Sequence, residues 1–196
     1  MKAIAAALVL VASASISAQD APDAARLFKS GQTFKEFIDH AVAQRDLWLK
    51  NASRTDVAAD VVDRLRRASQ GLRLLIVAED WCPDSVHTVP YVANLAIAAG
   101  VDVRIVDRSL GSALMARHRT RDGRPATPVV VLLRDGRDVG AWVERPAPLQ
   151  ELFFSMADNP EHARRFERRA EWYERDRGRT TIAEVVALAE RTAAGK

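Results

Sequence analysis

Two short apolar runs constrain the fold of this chain more than any other feature. Residues 72–78 and 129–133 are apolar over most or all of their length, as is typical of strands buried on both faces of a sheet. Residues 83–99 are predicted to form a helix, because Pro83 suits a first helical turn and Gly100 suits a helix end. The chain therefore passes from a buried strand almost directly into a helix.

The rest of the central region continues this alternation. Residues 101–106 predict a strand and residues 110–118 a short helix. A hairpin turn at residues 134–137 predicts a return strand at residues 139–143. Strands separated by crossover helices pair in parallel, whereas a tight hairpin pairs its strands antiparallel. We therefore predict an α/β fold with a mixed sheet of about four strands.

The first residues have the pattern of a secretory signal. A positive Met1-Lys2 precedes a small apolar stretch, and small residues continue to Ala18, where a signal peptidase would cut. The apolar stretch is shorter than the roughly 20 residues that a membrane span needs. We therefore expect residues 1–18 to be a signal peptide and the mature protein to be periplasmic or secreted, without a stable membrane span. A buried N-terminal helix is the alternative.

Helical extensions are predicted on both sides of the strand-rich region. The predicted helical segments are residues 33–49, 55–71 with Thr55 or Asp56 as the start, 149–176 with a break near Asn159-Pro160 left open, and 180–194. Thr33 with Glu36, and Thr181 with Glu184, have the spacing of capping boxes. The predicted divisions of the mature chain are an N-terminal helical extension (residues 19–71), a core (72–145) and a C-terminal helical extension (146–196).

The only cysteine lies where the first apolar run meets the predicted helix, in the stretch Trp81-Cys82-Pro83-Asp84-Ser85. A single cysteine forms no internal disulfide, so its thiol is free or is engaged with another molecule. The positive end of the helix dipole stabilises a thiolate there, and the Ser85 hydroxyl is placed to donate a hydrogen bond to the sulfur. Nearby carboxylates disfavour the thiolate, and the candidates are Glu79, Asp80 and Asp84. The sequence leaves the sign of this balance open.

Four further residues place this cysteine in a known context. Trp81 precedes it directly, and Pro90 follows it by eight residues. Pro128 precedes the second apolar run, and Gly136 follows that proline by eight residues. In this register residues 72–143 resemble the thioredoxin superfamily. The chain is thereby identified as an exported thioredoxin-like protein with a monothiol Cys-x-x-Ser active site.

The resemblance implies a fold and a site. The fold would be the three-layer thioredoxin-like arrangement, with extra helices at both ends. Cys82 would be the nucleophile and Ser85 its hydrogen-bond partner. A cis bond between Thr127 and Pro128 would present the Thr127 backbone to an extended substrate. The substrate-binding residues would be Trp81, Pro83, Thr127 and Pro128.

Three departures from the family pattern leave two functions open. Ser85 replaces the second cysteine, Ile76 stands where the family buries an acid, and Glu144 stands near the position of a glycine. With one thiol, Cys82 attacks a disulfide to form a mixed disulfide, which an external thiol such as glutathione then resolves. We therefore expect a monothiol thiol–disulfide oxidoreductase or isomerase that uses protein or low-molecular-weight thiols and no bound cofactor. The alternative is a redox-inactive binding or chaperone module that keeps only the groove.

The remaining side chains give weaker signals. His87 lies about 140° around the predicted helix from Cys82, so we expect it to be a surface or packing residue rather than a catalytic base. The other histidines are scattered and predict no metal site. The formal charge of +3 comes from interspersed acids and bases, which does not indicate nucleic-acid binding. The basic run at residues 164–169 predicts a solvated helix face laced with ion pairs, with a docking surface for an acidic partner as the alternative. The tryptophans expected to be packing residues are Trp48, Trp142 and Trp172.

Overall fold

The sheet defines the architecture of the described chain. A computed structural model describes residues 20–157 and 160–195, so the predicted signal peptide lies outside the described residues. In this part of the chain the strands are β1 (Leu72–Val77), β2 (Asp102–Val106), β3 (Val129–Arg134) and β4 (Arg137–Val143). Their order across the sheet is β2-β1-β3-β4. Strand β1 is parallel to β2 and antiparallel to β3, and β4 is antiparallel to β3. The prediction of an α/β fold with a mixed sheet is confirmed.

Helices cover both faces of this sheet. They are α1 (Asp20–Ser30), α2 (Phe34–His40), α3 (Arg45–Ser53), α4 (Ala59–Arg67), α5 (Pro83–Ala99), α6 (Ser112–Arg117), α7 (Ala147–Ser155), α8 (Arg165–Asp176) and α9 (Arg179–Ala194). A 3-10 turn, Pro160–Arg164, precedes α8. No described helix is long and apolar enough to cross a membrane.

Two hydrophobic clusters separate the layers. The larger cluster packs α2, α3, α4, α5 and α9 against one face of the sheet, with Trp48 and Leu65 fully buried. The smaller cluster packs α1 and α6 against the opposite face through Phe28 and Leu114. The fold is therefore the three-layer arrangement that the resemblance implied, and helices from both predicted extensions contribute to its core.

The turns that limit the central elements follow local rules. The hairpin between β3 and β4 has Asp135 at φ 51° and Gly136 at φ 79°, as a two-residue turn between twisted strands requires. Gly100 ends α5 in the left-handed conformation, at φ 76°. Helix α5 keeps its predicted bounds with Pro90 in its interior.

The single helix predicted for residues 33–49 is wrong. The predicted capping box of Thr33 and Glu36 is present at the start of α2, but α2 ends at His40 and α3 begins at Arg45. The physical reason is the carboxylate of Asp80. It accepts hydrogen bonds from the backbone N–H groups of Val42 and Ala43, at 2.8 and 2.9 Å. These donors are thereby withdrawn from a continuous helix, and the chain turns.

The predicted start of the second helix and the predicted capping box of the last helix are also wrong. Helix α4 begins at Ala59, a few residues later than residue 55. Helix α9 begins at Arg179 after Gly178, which has φ 74°, so Thr181 is inside the helix. Glu184 makes no capping box, because its carboxylate accepts hydrogen bonds from Trp142 Nε1 at 2.6 Å and from the backbone of Ala147 at 2.8 Å.

Candidate active site

The fold delivers Cys82 to the start of α5. Cys82 is the N-cap residue of this helix, with Pro83 in the first turn, where its missing N–H costs nothing. The backbone N–H of Cys82 donates to the Glu79 carbonyl at 3.1 Å, and the Cys82 carbonyl accepts from Val86 at 3.1 Å. The thiol therefore lies at the positive end of the helix dipole, where a thiolate is stabilised.

Two backbone groups contact the sulfur. The Ser85 N–H lies 3.5 Å from Cys82 Sγ, and the thiol donates to the Thr127 carbonyl oxygen at 3.4 Å. The expectation that the Ser85 hydroxyl donates to the sulfur is wrong. That hydroxyl is buried and has no hydrogen-bond partner in the described part of the chain. The reason is the geometry of helix starts, in which an N-cap side chain accepts from the backbone N–H three residues later.

The opposite wall of the site comes from the segment before β3 and the residue after β4. The Thr127–Pro128 peptide bond is cis, as the resemblance implied. The Pro128 carbonyl accepts a hydrogen bond from the Glu144 backbone at 2.8 Å. Glu144 has φ 64°, in the left-handed region that favours glycine. This backbone conformation is consistent with its alignment to a glycine position of the family.

The predicted substrate-binding residues differ in exposure. Trp81 is 51% exposed, whereas Cys82 is 6% exposed. Pro83 and Thr127 are half-buried, and Pro128 is buried. The thiol is therefore far less accessible than the tryptophan that precedes it in the chain. The tryptophans expected to pack do so. Trp48 and Trp142 are buried, and the half-buried Trp172 packs edge-on against the Tyr173 ring, with ring centres 5.6 Å apart.

Two of the acids near the thiol accept hydrogen bonds from backbone donors. Asp80 accepts from Val42 and Ala43, as described above, and Glu79 accepts from the Arg108 N–H at 2.8 Å. Such donors stabilise the carboxylate charge. Both acids therefore repel a thiolate less than carboxylates without hydrogen bonds would.

The third acid, Asp84, is held in a buried polar cluster. Asp84 is 4% exposed. Arg145 donates to both of its carboxylate oxygens, from Nε at 3.2 Å and Nη2 at 3.1 Å. Tyr173 of α8 donates its hydroxyl at 2.8 Å, and Arg169 of α8 contributes a longer contact at 3.5 Å. We call these four residues the Asp84 cluster. Burial, followed by the Asp84 charge, raises the pKa of Tyr173 well above its usual value of 10.0, so the phenol stays a donor.

Arg145 connects this cluster to the opposite wall. Its guanidinium also pairs with Glu144 at 2.9 Å and lies 4.0 Å from the centre of the Phe153 ring. Burial raises the pKa of Glu144 above its usual value, and the neighbouring Asp84 charge adds to this effect, while Arg145 and Arg124 oppose it. The two walls of the site therefore share one buried cation.

Sequence reasoning missed the partners of Asp84. Arg145, Arg169 and Tyr173 are separated from it by 61, 85 and 89 positions. The basic run at residues 164–169 was the one available signal. Its interpretation as a solvated face is wrong for Arg169, whose side chain is 14% exposed and turned towards Asp84.

His87 is a packing residue, as expected. Its ring stacks on Tyr173 with ring centres 4.7 Å apart and an angle of 7° between the planes. Burial lowers its pKa from 6.5 to about 4, against smaller opposing effects of Glu174 and Asp84. The ring is therefore neutral near pH 7. Within residues 20–157 and 160–195, no group of three or more histidine, cysteine, aspartate or glutamate residues could hold a metal ion.

This sheet, with one thiol at a strand-to-helix junction opposite a cis-proline, defines a thioredoxin-like protein. A family model described as thioredoxin matches residues 31–164, and the chain belongs to the thioredoxin family. A search of curated proteins found no significant match. One similar solved structure is the 1.5 Å crystal structure of a protein of unknown function from Pseudomonas aeruginosa, with 22% identity, a TM-score of 0.67, and coverage of 85% of this chain and 96% of that chain. Another is an HIV epitope scaffold, with 21% identity, a TM-score of 0.66 and the same coverage. At this level of identity both structures support the fold alone.

Proposed function

We propose that this protein is a monothiol thiol–disulfide oxidoreductase or isomerase that acts through mixed disulfides at Cys82. The observation that carries the proposal is the position of the thiol. Its sulfur caps α5 and accepts the Ser85 N–H at 3.5 Å. A helix N-terminus and a backbone donor both favour the thiolate, which is the nucleophile in disulfide exchange.

The reaction has two exchange steps. In the first, the Cys82 thiolate attacks one sulfur of a substrate disulfide, a new S–S bond forms to Cys82, and the other substrate sulfur leaves as a thiolate. In the second, an external thiolate attacks the mixed disulfide. Its sulfur bonds to the substrate sulfur, and the Cys82 thiolate is released. No net electrons are taken from the protein, so the cycle needs one external thiol and no bound cofactor.

The residues around Cys82 favour an external resolving thiol. Ser85 occupies the position of the family's second cysteine, and the chain has no other cysteine. Ile76 is fully buried in β1 where the family carries an acid, so a proton acceptor of that kind is missing. Glutathione or a substrate cysteine would supply the second thiol, which suits deglutathionylation and isomerisation better than net reduction.

The competing function is a non-catalytic binding or chaperone module. The observation that favours it is the burial of Cys82, which is only 6% exposed. A thiol that substrates do not reach would leave the exposed Trp81 as part of a binding surface without redox chemistry.

A peptide that carries a glutathione mixed disulfide distinguishes the two functions. The protein should release the peptide thiol in the presence of reduced glutathione at least about tenfold faster than glutathione alone, because a site that favours the thiolate presents more of the nucleophilic form at neutral pH. Without reduced glutathione, intact-mass spectrometry should detect a mixed disulfide on Cys82.

The matched control is Cys82→Ser, which changes one buried atom and should leave the fold intact by circular dichroism. This variant should show neither the rate acceleration nor the adduct. Wild-type protein that gives no adduct, or a Cys82→Ser variant that keeps the activity, would overturn the proposal and favour the binding module.

A further inference from the structure

We propose that helix α8 is a working part of the active site, in which Arg169 and Tyr173 act as positioning residues for Cys82 by holding Asp84. The inference deepens the proposed function and rests on it, because it concerns the reactivity of the same thiol. It assigns a role to the C-terminal helical extension, whose described residues make no hydrogen bond to the sulfur itself.

The first step is mechanical. Asp84 and Ser85 are consecutive residues in the first turn of α5, and the Ser85 N–H is the donor that contacts Cys82 Sγ at 3.5 Å. The Asp84 carboxylate is fixed from two directions. Arg145, in the loop after β4, donates hydrogen bonds to the carboxylate. From α8, the Tyr173 hydroxyl donates to it at 2.8 Å and the Arg169 guanidinium at 3.5 Å. A turn held in this way keeps the Ser85 N–H directed at the sulfur.

The second step is electrostatic. A carboxylate two residues from a thiol disfavours the thiolate, and burial strengthens that interaction because solvent screens it less. Two guanidinium groups contact Asp84, so its charge is compensated where the thiolate must form. Arg145 also serves Glu144 at 2.9 Å. Arg169 is therefore the cation that supplies the additional compensation.

The third step concerns how α8 is anchored. Glu174 accepts a hydrogen bond from Arg54 at 3.0 Å and pairs with Lys50 at 3.5 Å, and Tyr173 stacks on His87. The Glu174 contacts dock α8 without touching Asp84. Tyr173 takes part in both docking and positioning, because its ring stacks on His87 and its hydroxyl donates to Asp84. Tyr173→Phe separates the two roles, because it removes the hydroxyl and keeps the ring.

The test is the rate of Cys82 alkylation at pH 7 by iodoacetamide, which is neutral, and by iodoacetate, which is an anion. Arg169→Met should slow labelling by iodoacetamide about threefold to tenfold, because one nearby positive charge is lost at an intermediate dielectric. Labelling by iodoacetate should slow more, because the anion also loses its attraction to Arg169. The ratio of the iodoacetate rate to the iodoacetamide rate should therefore fall. Tyr173→Phe, which keeps the stacked ring, should slow both reagents about twofold to threefold through the loss of one hydrogen bond to the carboxylate. Arg169→Lys should restore the ratio.

Two controls separate positioning from simple docking. Arg168→Met removes the same charge from the same helix at a residue that pairs with Glu171, and Glu174→Gln weakens the docking of α8. Both should label at the wild-type rate. If α8 is only a cover, Arg169→Met and Tyr173→Phe should instead label faster with iodoacetamide, because the thiol becomes more accessible. Labelling that is faster than or equal to the wild-type rate in both variants overturns the inference. If Arg169→Met does not fold, the labelling rate of Tyr173→Phe alone is the test.

The peptide exchange assay keeps the two proposals distinguishable. Wild-type protein that labels readily but forms no mixed disulfide would overturn the proposed function. The alkylation rates of the variants would still decide whether α8 positions the thiol.

Discussion

Replacing Asp84 with Asn is expected to destabilise the protein by about 2–4 kcal/mol. The carboxylate is almost fully buried, and four polar contacts from Arg145, Arg169 and Tyr173 converge on it. Asn keeps the shape but removes the charge, and its amide nitrogen presents hydrogen atoms to guanidinium donors. Breaking a buried ion pair from one side typically costs about 3–5 kcal/mol, because the remaining charge is left uncompensated. We lower this range because Arg145 keeps Glu144 and the Phe153 ring as partners.

The measurement is urea unfolding followed by tryptophan fluorescence. Urea is preferred because guanidinium chloride would screen the charges under study. With a slope of about 2–3 kcal/mol per molar urea, a loss of 3 kcal/mol lowers the unfolding midpoint by roughly 1 M. The matched control is Asp102→Asn, which removes the same charge at an exposed position of β2 and should change stability by less than about 0.5 kcal/mol.

A double-mutant cycle makes the reasoning refutable. Arg169→Met removes one of the cations that Asp84→Asn leaves without a counterion, so the double variant should lose at least about 1 kcal/mol less than the sum of the single losses. A loss for Asp84→Asn no larger than that of the surface control, or strict additivity in the cycle, would show that the buried cluster is not energetically coupled.

Two further predictions concern pH and backbone geometry. Because burial lowers the pKa of His87 from 6.5 to about 4, the unfolded chain binds a proton between these pH values that the folded chain does not, and stability falls as the pH drops through this window. His87→Phe keeps a ring against Tyr173. Between pH 7 and pH 4.5 the variant should lose about 2 kcal/mol less free energy of unfolding than the wild type, measured by urea unfolding. Identical pH slopes for the variant and the wild type would contradict this. Gly178→Ala should cost about 2–4 kcal/mol, because φ is +74° and a Cβ would lie 2.2 Å from the Tyr91 ring. The control is Gly123→Ala, with φ +79° and nothing within 4 Å of a Cβ, which should lose only about 1–2 kcal/mol; equal losses would mean that the Tyr91 contact carries no cost.

The elements that sequence reasoning predicted correctly are set by neighbouring residues. The bounds of α5 follow from Pro83 and Gly100, and the β3–β4 hairpin follows from the Asp135-Gly136 turn. Both signals act within a few residues, so a pattern in the sequence is enough to detect them. The family register around Cys82 also depends only on spacings along the chain, and these spacings were enough to predict a cis-proline opposite the thiol.

The wrong predictions arise where a distant side chain competes for backbone groups. The Asp80 carboxylate accepts hydrogen bonds from the N–H groups of Val42 and Ala43, and α2 ends earlier than predicted. The Glu184 carboxylate accepts hydrogen bonds from the Trp142 indole and from the Ala147 backbone N–H, and it therefore forms no capping box with Thr181. In each case a local pattern favours one hydrogen bond, and a tertiary contact that is invisible to that pattern replaces it.

The same limit applies to the chemistry of the site. In the sequence, one acid inside the Cys-x-x-Ser motif and two acids just before it lie near the thiol, and the motif predicts that the serine hydroxyl assists the sulfur. In the folded chain the assisting group is the Ser85 backbone N–H, which any residue except proline would supply, and the acid inside the motif is neutralised by cations from distant segments. The role proposed for α8 therefore depends on the contacts of Arg145 and Arg169 with Asp84, which no local pattern predicts. A chain with the same four-residue motif and no such cations would present an uncompensated buried carboxylate two residues from its thiol, and a neighbouring charge of that sign disfavours the thiolate form.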